Sequence, residues 1–464
     1  MLRQDPAGKA ALAYPSKPGL SSTDMRPSGA FPAILSILGA GLTALFAAAS
    51  LDACSGKPGI TARIWTDAPE LAIAAELFNA RGGSLAVQLA WKSDLAESFL
   101  SSKAVGGSAG VPALVVGRRL GGPGLRERLS SIDFLFKGGL GRDSLYPELL
   151  EGGRVDGARV LLPISFNLPS VVFLRDSPAA GDGFTLSLPD LAVPSAAFRS
   201  PTGAAARMGF SPRWDARFMI AALDSGGARF REVDRPGQGI PELAWDPSGL
   251  ADALRELISW SATVNGSAAL EDDFNFKHLY SPPYRWLKEG QALYAYMDSS
   301  ELFLVSEEKR ADLDFRWYSS GGKVPISEAP VYAGLVRGAP GRGAAETFLR
   351  WLLTPEAQRA ILERSRGSRA SGYSFGVVGG FSSIRSVNEG IFPAFYPALV
   401  GHAPPADKLA TPSRMPPDWP SLRAAVLVPW ALEASSRSAG LPRTDPSSEL
   451  AARIAEYRKR AARQ

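Results

Sequence analysis

The chain has little cysteine and little histidine, one Cys and two His among 464 residues. The single thiol, Cys54, excludes an intramolecular disulfide and any multi-cysteine metal site. His278 and His402 stand far apart and in no H-x-x-x-H spacing, so no zinc-ligand or metalloprotease pattern is assigned. A G-x-x-x-x-G-K-[ST] loop is missing, and work driven by ATP would need a separate ATPase. Long basic blocks and basic stripes interleaved with aromatic residues are lacking too. The net charge of +5 comes from 51 basic and 46 acidic residues scattered along the chain, which makes nucleic acid a poor partner. No internal repeat is found. What is present is enough for a folded body: 45% of residues are hydrophobic and 21% charged, as in globular proteins. The length points to two domains of roughly 150–200 residues each.

The amino terminus reads as an address. Residues 30–50 form an apolar run with Arg26 before it and LDAC and SGKPG after it. Basic, apolar, small and then a cut is the order of an export signal. Leu51-Asp52-Ala53-Cys54 resembles a lipobox, whose cysteine takes a diacylglycerol thioether and becomes the first mature residue. Asp52 departs from the small or apolar residue usual there, and a buried structural cysteine is the competing reading. The resemblance implies a signal peptide at 25–53, a spacer at 54–59, and a protein exported to the periplasm or cell surface with a lipid on Cys54. Residues 1–24 are aperiodic and rich in Pro, Ser, Gly and Ala. A signal of ordinary length opens at Met25, so this stretch is expected to be disordered or untranslated.

Beyond the spacer, ITARIW over 60–65 alternates as a strand, and a helix follows over 70–80 with Leu71, Ala74, Ala75, Leu77 and Phe78 on one face. SLAVQLAW predicts a second strand ending at Trp91. A helix with a polar start is expected over 94–102 and a buried strand over 111–116. This alternation predicts an α/β parallel sheet with helices on its faces. Ligands of such sheets sit beyond the carboxyl ends of the strands, so Trp65, Thr66 and Asp67 form a first candidate contact.

WTDAPELAIAAELFN resembles the opening of the family 1 extracellular solute-binding proteins, the maltose-binding-like substrate-binding lipoproteins of ABC importers. Later blocks follow in that family's order. YPELL precedes GARVLLPISFNLPSVVFLRD, which is similar to a strand crossing between lobes. GQALYAYMDSSELF and AETFLRWLLTPEAQRAIL come next, and DWPSLRAAVLVPWALEA with SSELAARIAEYRKRA resembles the terminal helices. The resemblance implies a two-lobe periplasmic-binding-protein (Venus flytrap) fold with a hinge and C-terminal helices. Lobe 1 would hold residues 60–164 and 328–368, lobe 2 residues 170–326 and 369–464, and the hinge would lie near 163–174 and 323–332. It also implies a monomer without cofactor or catalytic residues that captures a small solute, with a carbohydrate favoured, and hands it to ABC permease subunits. The proline-rich stretch 403–417 reads as an extended surface connection.

A sugar offers a C–H face to aromatic rings and a rim of hydroxyls to planar donors and acceptors. The candidate ligand contacts are Trp65, Asp67, Phe166, Asn167, Trp214, Trp286, Asp298, Ser299 and Tyr332. Each has a plainer reading: Trp and Tyr are more often core residues, and Asp67 or Asp298 would also suit a helix cap. Arg207, Arg213 and Arg217 around Trp214 would favour an anionic ligand. Gly372-Tyr373-Ser374-Phe375-Gly376 fits G-x-S-x-G. An exported serine hydrolase is therefore one rival, although the acid and histidine candidates Glu389, Asp407 and His402 are crowded close behind. A ligand-sensing lipoprotein of the same fold without transport is the other main alternative, and a purely structural surface lipoprotein is a third.

Overall fold

The computed structural model describes residues 59–102, 110–122, 124–137, 141–177, 183–200, 206–234, 241–327, 330–367, 374–437 and 445–463. The export signal, Cys54 and the spacer up to residue 58 lie outside the described residues. In chain order the strands are β1 (Ile60–Thr66), β2 (Leu85–Trp91), β3 (Leu114–Gly117), β4 (Arg154–Val155), β5 (Ala158–Arg159), β6 (Leu162–Phe166) and β7 (Pro169–Leu174). They continue with β8 (Thr185–Leu186), β9 (Arg231–Val233), β10 (Glu242–Ala244), β11 (Ala295–Asp298), β12 (Leu313–Tyr318), β13 (Val331–Leu335) and β14 (Phe381–Ser382).

Two sheets organise residues 58–464. The first has the spatial order β14-β6-β13-β3-β1-β2, the second β11-β7-β12-β8. β1 pairs in parallel with β2 and β3, as the alternating strand and helix pattern predicts. β13 instead runs antiparallel to both β3 and β6, because it returns from the other sheet rather than from a helix crossover. Leu71–Ala80 buries Leu71, Ala74, Ala75 and Phe78 against this sheet. The Phe78 ring meets Phe348 edge-on at 5.3 Å, tying in the late helix Arg342–Leu352. Thr354 caps the next helix, Pro355–Gly367, by accepting from the Ala357 N–H.

The chain passes between the sheets three times. β6 leads into β7 through Asn167 and Leu168, and β12 returns to β13 through residues 319–330. After β14 it crosses again through 400–418, where Val324 and Leu409 form a parallel bridge. The expected lobe boundary at residue 369 is displaced. β14 pairs with β6 in the first sheet, and Phe375 and Phe392 pack around Phe381 at 4.9 and 5.6 Å. An aromatic cluster thus draws 374–399 to the first half, and it continues to Phe303 of the second. The terminal helices Val428–Ser435 and Pro446–Ala461 do pack on the second half, against Pro247–Thr263. Stretch 403–417 is no surface connection: Leu409 is buried, and residues 410–415 line the space between the halves. Among the described residues no helix is long and apolar enough to cross a membrane.

Candidate functional site

A cavity of about 520 Å³ lies between the two halves, with the three crossings along its edge. Its first wall is built from the exits of parallel strands. β3 ends at Gly117, and the next two residues, Arg118 and Arg119, face the cavity. A side chain at Gly117 would collide with Leu95 and with the Asp67 carboxylate, so close strand and loop packing requires glycine there. Asp67 accepts the Arg118 backbone N–H at 3.0 Å. Its carboxyl is pushed up by burial against the opposing pull of Arg118 and Arg119. Arg118 then reaches Glu70 at 2.9 Å, and both side chains are about a quarter exposed, 27% and 20%.

The turn 377–380 closes this wall. Val378 (φ 49°) and Gly379 (φ 78°) sit in the left-handed region between Val377 and Gly380, which exchange backbone hydrogen bonds. For a β-branched residue this conformation is strained, and strained turns persist where the surroundings hold them. The surroundings are the crossing strand: Ser165 Oγ donates to the Val378 carbonyl at 2.9 Å, and Asn167 Nδ2 to that of Gly379 at 2.8 Å. Gly379 lies so close to Arg118 and Glu70 that a Cβ would sit 2.7 Å from Arg118 Nη2 and 2.9 Å from Glu70 Oε1.

The second wall comes from β11 and the helices behind it. Asp298 caps Ser299–Leu302 by accepting from Ser300 N at 3.0 Å and Ser300 Oγ at 2.6 Å. Burial pushes its carboxyl up, partly opposed by those bonds. Arg217 grips Glu301 at 2.7 and 2.8 Å and Asp215 at 2.9 Å, and lies over the Tyr296 ring. Arg414, from the third crossing, bonds Glu232 at 2.7 Å and the Arg154 carbonyl. Glu232 also accepts from Gly122 N across the gap, at 3.2 Å. The buried rings of Trp419, Phe230 and Tyr296 lie among the lining residues.

Of the candidate contacts, the structure brings Asn167, Asp298 and Tyr332 to the cavity. Tyr332 spends its hydroxyl on the Leu149 carbonyl at 2.9 Å. The others are used elsewhere. Phe166 packs between Tyr146 and Phe381 in the core, at the end of a strand buried along its whole length. Ser299 is fully buried and bridges Asn167 Oδ1 and Leu168 N at the crossing. Trp214 stacks on Phe274 at 4.5 Å, donates to the Glu271 carbonyl, and meets Trp286 edge-on. Trp286 is itself buried in that cluster. Trp65 lies outside the lining with the Lys92 ammonium 4.6 Å from its ring, and Asp67 acts through Arg118. Sequence reasoning misses Arg118, Arg119, Arg414 and Trp419. Two arginines directly after a strand, in GRRLGG, are the available signal.

Ser374 lines the cavity, yet it leads into the 377–380 turn rather than into the helix of a nucleophile elbow. His402 contacts Arg316 and the Val400 carbonyl at 3.3 Å each, beside the Phe184 ring. Among the described residues no group of three or more His, Cys, Asp or Glu is placed to hold a metal ion.

No protein-family model and no curated protein sequence matches the chain. Its structure matches a cyclo/maltodextrin-binding protein solved in complex with maltotetraose, with a TM-score of 0.56 and 13% identity over 88% of this chain and 98% of the other. The fold is the two-lobe periplasmic-binding-protein fold. Its features here are the two sheets, the three crossings and the intervening cavity.

Proposed function

We propose that this chain is an extracytoplasmic solute-binding lipoprotein, anchored through Cys54, that captures a carbohydrate between its lobes and delivers it to an ABC permease. The observation carrying this reading is the 520 Å³ cavity between the two halves, whose lining combines the rings of Tyr296 and Trp419 with planar polar groups such as Asn167 and Arg118. That mixture suits a sugar's apolar faces and hydroxyl rim. The maltotetraose complex of the structural neighbour supports the same ligand class, and the lipobox-like LDAC supports the anchor. Capture drives delivery if the solute binds the closed form better than the open one, and about 5.5 kcal/mol of difference moves an open-biased equilibrium to a closed-biased one.

A thermal-shift screen against mono- and oligosaccharides, polyols and amino acids tests the binding step. A true ligand at about a hundred times its Kd adds about 2.7 kcal/mol of stability, so the melting temperature rises with sugar and not with amino acid. A response to amino acids alone would overturn the carbohydrate assignment. Metabolic labelling with a fatty acid, lost in Cys54→Ala, tests the anchor separately.

A further inference from the structure

We propose that the solute is a sugar bearing one carboxylate, and that Arg119 receives it. The inference rests on the solute-binding reading and narrows its ligand class. Five arginines line the cavity. Arg118 is held by Glu70, Arg217 by Asp215 and Glu301, and Arg414 by Glu232. Arg423 is engaged as well. Arg119, half-buried like the other four, differs from them in making no hydrogen bond or ion pair among the described residues. It acts on Asp67 only through space, helping to hold that carboxyl down against the effect of burial.

A guanidinium stays charged at any physiological pH and offers a planar fork of donors. Removing it from bulk water without a partner is costly, and that cost is recovered when an anion enters. The carboxyls of the same lining are taken: Glu70 by Arg118, Asp298 by the helix it caps, and Asp224 by the Phe230 N–H at 2.6 Å. One open guanidinium matches one carboxylate in a paired geometry. The rings of Tyr296 and Trp419 lie among the same lining residues.

The experiment uses the mature chain and its Arg119→Gln and Arg119→Lys variants. The probes are neutral gluco-, xylo- and galacto-tetrasaccharides, the corresponding tetrasaccharides with one uronate, and the methyl esters of those uronates. Unliganded melting curves first establish that the variants fold. Titration calorimetry at low and high salt then compares acid with ester, which differ in charge and little in shape. The expected result is at least tenfold tighter binding of one uronate than of its ester, weakened by salt, abolished in Arg119→Gln and partly restored in Arg119→Lys. Equal binding of acid and ester, or a preference that survives Arg119→Gln, overturns the role of Arg119. Binding of neutral tetrasaccharides alone overturns the acidic class while solute capture stands. If no sugar binds, charged or neutral, both readings fail.

Discussion

Two clusters in this molecule use the same residue types to opposite ends. Behind the second sheet, Arg213 donates to the Leu432 carbonyl and Ser435 Oγ through Nη1 and to both Asp272 oxygens through Nη2. The buried Glu271 carboxylate lies 3.4 Å from its Nε and accepts from Ser261 and Asn265. Trp214 stacks on Phe274 beside it, and Trp286 meets Phe274 edge-on. At the cleft, Glu70, Arg118, Arg119 and the Gly379 turn again combine charge with tight backbone, but Arg119 is left over. The first cluster spends its polar groups on holding a terminal helix to the lobe. The second leaves Arg119 without a hydrogen-bonding or ion-pair partner among the described residues. Arginine and aromatic content therefore does not mark a binding site; an unmet partner facing a cavity does.

This contrast can be broken by substitution, and the largest effect is expected at the closed cluster. Arg213→Ala would leave Glu271 buried without its cation, and about 3–5 kcal/mol of stability should be lost. Urea unfolding measures it; an unchanged midpoint together with weakened ligand binding would mean that this cluster, too, is a binding site. A middle-sized effect belongs to Gly379→Ala. The left-handed conformation costs a side chain about 1–2 kcal/mol, and the new Cβ would press on Arg118 and Glu70, so stability and ligand affinity should fall together. Loss of stability with intact affinity would detach the turn from the site.

The smallest effect is expected at Asp298. Burial raises its folded-state value above the ordinary 3.8, so the folded protein holds this proton more strongly than the unfolded chain. The resulting stabilisation is full below 3.8 and is lost as pH rises through the folded value. Asp298→Asn keeps an oxygen acceptor for Ser300 and removes the titration. The variant should be no less stable than the parent at pH 7, and its relative advantage should shrink as pH falls towards the ordinary carboxylate range, as unfolding curves at a series of pH values would show.

Much of the first sheet was legible along the chain. The alternation in ITARIW, the single apolar face of Leu71–Ala80 and the breaks around them depend on neighbours three or four residues away, and those relations survive in a string of letters. The capping reading of Asp298 was legible for the same reason, since a cap bonds within its own turn. The site was far less so. Phe166 and Asn167 are adjacent, yet Phe166 ends a wholly buried strand while Asn167 begins the crossing and reaches the cleft.

Chain order and local pattern by themselves determined much of the run of strands and helices, and the resemblance to a solute-binding family pointed to the two-lobe class. The tertiary structure alone decided that 374–399 joins the first half, that 410–415 is a wall of the cavity, and that Arg119 rather than Arg213 stands without a partner among the described residues. Local structure is set by short-range hydrogen bonds and by periodic burial. Which charge goes unpaired depends on contacts such as Arg213 with Ser435, more than two hundred residues apart, and only the folded chain brings such groups together.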